Sequence, residues 1–527
     1  MKNNNTLYTP VALILGLLLV GSCNDDLLDI NNPNTLSTNN FYRDADDASA
    51  ALNAAYANLQ KDGLYLYAFP MIADQRSDEA TFTGNATGFG DQVQVVNFTA
   101  PADGLRFAFF PWEDGYEGVL RANAVLAKVP DIEMDEALKA RILAEAQFLR
   151  ALYYFHIITL YGEVVPIITD FPEGNEDLIP PTASTGQVWA LIEEDLKAAQ
   201  SVLPTKEDDR YELGHASKGS ATGYLGKAYL YQEKWQEAAV EFKKIIDGEV
   251  GNYRLVQNYR DNFTEENENN DESLFEVQFD IAPGDDRWSR PKRDLDGAME
   301  GNWLPQNRGV RAGNGRRWWN EMATEKLANT YESGDPRKFM TLWVPEGAYY
   351  TDLDGQVKDF EAMGWQEGEF GFRKYEYDVS SGLRRSGINI RLLRYADVLL
   401  MYAEALANGA STGGTPEEYI NQVRSRAQNR VPDEQPHLFY ANAPASLPTV
   451  EELMAQRGWD IMEAIRHERM VELGGEFVRY FDLIRWGKAV AEANITDPNF
   501  RYGVNHILPI PQQELNTNPN MVPNSAN

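Results

Sequence analysis

Twenty-five residues near the middle of the chain restrict its fold more than any other stretch. In TGYLGKAYLYQEKWQEAAVEFKKII, residues 222–246, Leu225, Gly226 and Tyr229 recur at the spacing of one helix, and Ala238 and Phe242 at the matching positions of a second. Small residues at Gly226 and Ala238 let two antiparallel helices approach closely, while Tyr229 and Phe242 fill the groove between them. A two-helix unit of this kind leaves one face bare. It needs neighbours of similar build elsewhere in the chain.

The spacing is that of a tetratricopeptide repeat, and candidate neighbours are present. They are 141–161 with 187–203, 391–408 with 416–426, and 459–473 with 477–493. Within 391–408, Leu392, Ala396, Leu399, Ala403 and Leu406 form one apolar stripe. Further helices are predicted over 45–60, capped by Asp44 or Asp46, over 116–128, and over 135–160. The last puts Phe148, Leu152, Phe155 and Thr159 on one face and stops at Gly162; the helix over 187–203 stops at Pro204. The scaffold is therefore read as all-α, built from helical repeats that are discontinuous in sequence.

Between the repeats, over 262–386, the pattern changes. Glycine is dense, and only about 320–333 reads as helix. Long loops inside a compact fold are usually functional, and so many aromatics argue against disorder. Trp288, Trp303, Trp318 and Trp319 fall within 32 residues here. An indole offers a broad flat face of weakly negative character, complementary to the C–H face of a sugar ring. Trp303, beside Gly301 and two residues before Pro305, is the one expected to be exposed; burial in a core is the competing reading for each. A second candidate edge is 71–90, where Asp74, Arg76 and Asp78 are suited to sugar hydroxyls and Phe82 or Phe89 to stacking. Local ion pairing is the alternative there.

The amino terminus reads as an address. Lys2 precedes the ten apolar residues VALILGLLLV (11–20), and Gly21 and Ser22 stand directly before Cys23, the single cysteine of 527 residues. Charge, a short apolar core and a small-residue cleavage site make a secretory signal over 1–22. Ten residues of helix reach only about 15 Å, roughly half a bilayer core. A lone thiol excludes an intramolecular disulfide and a structural zinc site. Val20-Gly21-Ser22-Cys23 resembles a bacterial lipobox, which makes Cys23 the acylated first residue of the mature protein. Two or three acyl chains, at about 0.8 kcal/mol per buried CH₂, hold a protein firmly. Residues 23–43 then form a lipid-anchored terminus and tether, acidic at Asn24-Asp25-Asp26.

Composition narrows the partner. Forty-eight basic residues against 80 acidic ones give a net charge of −32, which repels nucleic-acid backbones. Neutral ligands do not feel that field, and an aromatic content of 11% favours sugars or peptides.

AEAQFLRALYYFHIITLYG (144–162), NIRLLRYADVLLMYAEALAN (389–408), HERMVELGGEFVRYFDLIRWG (467–487) and ILPIPQQELNTNPNMVPN (507–524), with Asp335-Pro336-Arg337 and the lipobox, carry a family likeness. Together they resemble the SusD/RagB family of outer-membrane nutrient-binding lipoproteins of Bacteroidetes. Met470, Gly474-Gly475, Phe477-Val478 and Pro523 depart from that family's usual residues, and the departures touch only the packing of the last helices. The resemblance implies four tetratricopeptide-like helix pairs and a loop-rich half carrying the ligand site. It divides the mature chain into an N-terminal helical region, 44–260, and a C-terminal region, 261–527, with ligand loops over 262–386. It further implies a cell-surface, lipid-anchored protein of the outer membrane. Such a protein binds an oligosaccharide, polysaccharide or peptide and delivers it to a TonB-dependent SusC-like transporter, without catalysis or cofactor.

Other chemistry is thinly supported. His467, Glu468, Arg469 and Glu472 lie on an amphipathic helix without the second histidine of a zincin, so they are read as ion pairs between repeat helices, as are Asp397 and Glu404. YTDLDGQVKDFE (350–361) aligns with a calcium loop at Asp352, Asp354, Gly355 and Glu361, but Tyr350 occupies the first ligand position, which weighs against a structural Ca²⁺. A surface-anchored glycoside hydrolase, needing two carboxylates across a cleft, and a protein-binding adaptor remain the competing readings.

Overall fold

The computed structural model describes residues 41–83, 90–103, 106–172, 179–280, 301–308, 320–344, 350–351, 357–358, 367–375, 386–428 and 447–527. Cys23 with 1–40, Phe89, Trp288, Trp318, Trp319 and the calcium-loop positions Asp352, Asp354, Gly355 and Glu361 lie outside them.

Helix starts follow local chemistry. Asp44 accepts the Asp47 N–H at 3.0 Å and opens α1 (Ala45–Ala57), which runs into a 3₁₀ turn ending at Gln60. Two short helices, α2 (Ala68–Gln75) and α3 (Gly90–Val96), follow. The predicted helix over 116–128 is longer than expected: α4 spans Arg106–Lys128 and passes through Pro111. Burial of Phe107, Phe110 and Trp112 outweighs the one hydrogen bond that proline removes. Asp135 caps α5 (Glu136–Tyr161), and Gly162 ends it at φ 74°. Capping boxes open α6 (Thr185–Val202), through Ser184 and Gln187, and α7 (Lys218–Tyr231), through Ser217 and Ser220.

The helical hairpin of α7 and α8 (Trp235–Ile246) has the packing its residues demand. A Cβ on Gly226 would lie 2.6 Å from the Phe242 ring, so glycine is what lets the two helices meet. Packing then passes from α4 to α5, α6, α7 and α8 in order, with α1 lying across α4 and α5. The next neighbour of α8 is α12 (Tyr395–Ala407), which carries α13 (Pro416–Ala427) and α15 (Ile461–Leu473). The repeat stack skips some 150 residues at that point (247–394) and resumes without a gap in its core. Short helices α14 (Val450–Arg457), α16 (Arg479–Arg485), α17 (Lys488–Asn494) and α18 (Gln512–Thr517) complete the C-terminal region.

Two expected helices are shorter and carry strand. Residues 390–394 form β8 (Ile390–Arg394), antiparallel to β2 (Ser273–Val277), and only then does α12 begin. Both strands are buried throughout, and pairing with a distant partner overrides the helical periodicity of the stripe. Over 320–333 the chain makes β3 (Glu321–Ala323) and then α10 (Glu325–Thr330), preceded by α9 (Leu304–Arg308) and followed by α11 (Arg337–Thr341). A second, smaller core of Ala80, Leu327, Tyr331, Leu342, Phe372 and Val471 lies under this part of the molecule.

Candidate functional site

The loop-rich half is rooted in short antiparallel ladders. β1 (Ala80–Phe82) pairs with β3, Ala80 opposite Ala323 and Phe82 opposite Glu321, and the Thr83 N–H extends the ladder to the Asn320 carbonyl at 3.2 Å. Ala323 bridges to Phe370, β4 (Leu342–Trp343) pairs with β7 (Gly371–Phe372), and β5 (Tyr350–Thr351) pairs with β6 (Val357–Lys358). Asn302 and Ser386 exchange both backbone hydrogen bonds, at 2.9 and 3.1 Å. The chain leaving at Thr83 and the chain returning at Asn320, directly after Trp318 and Trp319, are therefore held side by side. Phe82 is half-buried in that ladder.

Side chains expected at the ligand edge are largely consumed inside the fold. Trp303 is only 4% exposed and belongs to the main core, its N–H donated to the Leu66 carbonyl; its expected exposure is corrected. A glycine-flanked indole was free to face solvent, but the backbone is pinned at Trp303 by Leu66 and at Asn302 by Ser386, and the ring joins the main core. Asp74 is fully buried, ion-paired with Arg308 and accepting the Phe477 N–H at 3.1 Å. Arg76 donates to the carbonyls of Val95 (2.8 Å) and Asn505 (2.6 Å) and to Tyr480 Oη (3.1 Å), its guanidinium 4.2 Å from the centre of the Phe98 ring. Asp78 holds Arg479 at 2.7 Å and Lys326 at 2.6 Å. All three are buried, and the contacts they make lie within the fold, although Arg76 Nε has no hydrogen-bond partner of its own.

The carboxylates tempting as catalytic groups are committed as well. Arg337, with no exposed surface, holds Asp335 (2.8 Å), Glu468 (2.5 Å) and Glu472 (3.0 Å). Arg394 joins Glu272 (2.7 Å), Glu472 (2.6 Å) and Glu476 (2.7 Å), and Arg426 bonds both Glu272 and Glu472. Arg469 spans Asp397 and Asp482, each at 2.7 Å, and Glu404 takes Arg485 at 2.5 Å. Burial opposes ionisation of Glu332, yet hydrogen bonds from His467 and Arg424 hold its carboxyl at about 2. Burial pushes the Glu79 carboxyl the other way, to about 8, despite the nearby Arg479 charge. Among the described residues no group of three or more His, Cys, Asp or Glu is arranged to hold a metal ion, and no helix is long and apolar enough to cross a membrane.

The sequence and fold have counterparts. Residues 228–526 match the model described as SusD family, and residues 27–230 match the one described as starch-binding associating with outer membrane. The chain belongs to the SusD family. SusD-like protein P2 of Formosa agariphila is 26% identical over 542 aligned residues, covering 98% of this chain and 99% of that one. A SusD-like protein of Bacteroides ovatus is also 26% identical, over 89% of this chain and 80% of its own length. Among solved structures, a laminarin-binding SusD-like protein is 30% identical and superposes with a TM-score of 0.74, covering 92% of this chain and all of that one. Surface glycan-binding protein A from Bacteroides thetaiotaomicron, at 22% identity over 91% of this chain and 99% of its own, shares the fold with a TM-score of 0.71. The tetratricopeptide-like helical scaffold of this SusD-family protein is thus the family's scaffold, and along the chain residues 247–394 fall between α8 and α12.

One concavity of this SusD-family protein was not anticipated. A cavity of about 280 Å³ is lined by Asn53, Tyr56, Gln60, Leu213, His215 and Gln278 among others, and by none of the tryptophans.

Proposed function

We propose that the protein is a cell-surface receptor that binds a neutral glycan and passes it, uncut, to a TonB-dependent SusC-like transporter. Cys23 carries the lipid anchor at the outer membrane. Trp288, Trp318 and Trp319 supply flat faces for stacking on sugar rings. The observation that carries this reading is the likeness, at 30% identity over 92% of the chain, to a protein that binds laminarin. The β1–β3 ladder supports it, because it brings the root of 84–89 next to the residue that follows Trp319. Binding without turnover is favoured by the carboxylates: Asp397, Glu404, Glu468 and Glu472 are tied to arginines in the core.

The test is a glycan array followed by calorimetry with laminarin and its oligosaccharides. The wild-type protein is expected to bind and to leave the sugar intact overnight. Trp318→Ala and Trp319→Ala are expected to weaken binding by about tenfold each, the scale of a lost stacking contact. Release of shorter sugars would show an enzyme, and unchanged affinity in both variants would remove these indoles from the site. Mass spectrometry of the mature amino terminus reads the acylation of Cys23 directly.

A further inference from the structure

The 280 Å³ cavity lies where the end of α1 and its 3₁₀ turn meet the turn at 213–215 and the last residues of β2. Its wall is organised from within. Glu145, 1% exposed, accepts hydrogen bonds from Tyr56 Oη and from His215 Nδ1, both at 2.7 Å. The Ala216 N–H donates to Tyr56 Oη at 2.9 Å, and the Tyr56 and His215 rings stand 4.7 Å apart at 45°. Glu145 also pairs with Arg141 at 3.5 Å, and a buried carboxylate that fixes two partly exposed rings pre-organises a surface. Gly214, at φ 85°, lets the turn close on Gln278: a Cβ there would sit 2.8 Å from that side chain.

Around these rings, polar groups are left open. Gln60 donates to the Gln278 carbonyl at 2.6 Å, which leaves its Oε1 without a partner among the described residues, and the Asn53 amide has none there either. His215 bonds Glu145 through Nδ1, and its Nε2 stands 3.7 Å from Glu212, beyond hydrogen-bonding distance. Leu213, at 71%, is the most exposed large apolar side chain among the described residues. An exposed leucine alone means little. Beside two fixed rings and three open polar groups, it completes what a pyranose presents: an apolar face edged by hydroxyls. No lysine or arginine lines the cavity, and the net charge of −32 repels anions. The volume is at the small end of ligand pockets, which suits a single ring better than a chain.

We propose that this cavity is a second subsite, taking one neutral pyranose ring, built from residues outside the tryptophan segments. The proposal rests on the glycan-binding reading above, and its test separates the two. The full chain, solubilised in detergent, is titrated with methyl β-D-glucoside, methyl β-D-galactoside and methyl α-D-mannoside while the His215 ring resonances are followed by NMR; laminarihexaose is titrated by calorimetry. At least one monosaccharide is expected to move the His215 signals. Leu213→Asp and Asn53→Ala, both at exposed side chains, are expected to abolish that shift at an unchanged melting temperature and to weaken laminarihexaose by about threefold to tenfold. Trp319→Ala is expected to weaken laminarihexaose yet leave the monosaccharide shift in place. If no monosaccharide moves His215, or if only an amine such as ethanolamine does, the subsite is overturned, whatever laminarihexaose does. A monosaccharide response that survives Leu213→Asp and Asn53→Ala overturns it too. Failure of laminarihexaose alone counts against the glycan reading and leaves the monosaccharide result to decide the subsite.

Discussion

Trp303 shows how one residue can satisfy every local sign of exposure and still be core. It sits among glycine, asparagine and proline, yet it belongs to the main apolar cluster at 4% exposure. Trp303→Ala is therefore expected to cost about 3–5 kcal/mol of stability, the range for emptying a large buried aromatic site. Urea denaturation measures this, and glycan affinity corrected for the folded fraction should stay as in the wild type. Asp74, Arg76 and Asp78 teach the same lesson from the polar side. Their partners, Arg308, Tyr480, Asn505 and Arg479, lie hundreds of residues away, so no reading of 71–90 alone finds them. Leu213 left a faint local sign, one leucine in the polar run DDRYELGHAS (208–217). Its meaning depends on Tyr56 and His215 meeting at Glu145, which is equally long-range.

At the scale of elements, the helices were the legible part. Caps at Asp44, Asp135, Ser184 and Ser217 and the stop at Gly162 act within a turn of where they stand, and the structure uses each of them. The α7–α8 hairpin follows from Gly226 facing Phe242. Gly226→Ala is expected to destabilise by about 1–3 kcal/mol through overpacking, even though alanine is intrinsically the better helix residue by about 1 kcal/mol. A drop in the urea midpoint checks it; a rise would mean that Phe242 yields. Legibility failed at β8, where a leucine-rich run followed by a true helix reads as one helix. The strand exists because β2 offers a ladder 117 residues upstream, from Ser273 to Ile390, a partner that periodicity does not reveal. Pro111 inside α4 is the converse: burial carries a helix across a residue that ordinarily breaks one.

For the whole molecule, the buried ion-pair network joins the repeat stack to the loop-rich half through Arg337, Arg394, Arg424 and Arg426 on one side and Glu468, Glu472 and Glu476 on the other. Its pH dependence has a definite sign. Glu332 is held at about 2 against an ordinary 4.5, so its contribution is complete above pH 4.5 and is lost as pH falls towards 2. Glu468, Glu472 and Glu476 are also held low by their arginines against the opposing effect of burial, and they act in the same direction. Glu79, raised to about 8 by burial, acts oppositely: its contribution is complete below 4.5 and is lost as pH rises to 8. The urea midpoint of the wild-type protein should fall steeply below pH 4.5. That of Glu79→Gln should gain on wild type between pH 4.5 and 8; parallel curves there would contradict the assignment. By itself the sequence determined the repeat helices, the discontinuity between them, the acidic net charge and the family likeness, because periodicity, capping and net charge are properties of residues near one another or of their sum. Which tryptophan is core, which carboxylate is consumed by an arginine, where the strands pair and that a cavity opens beside Leu213 were decided only in three dimensions. Each depends on groups brought together across long stretches of chain, and the burial that results sets both their partners and their charge.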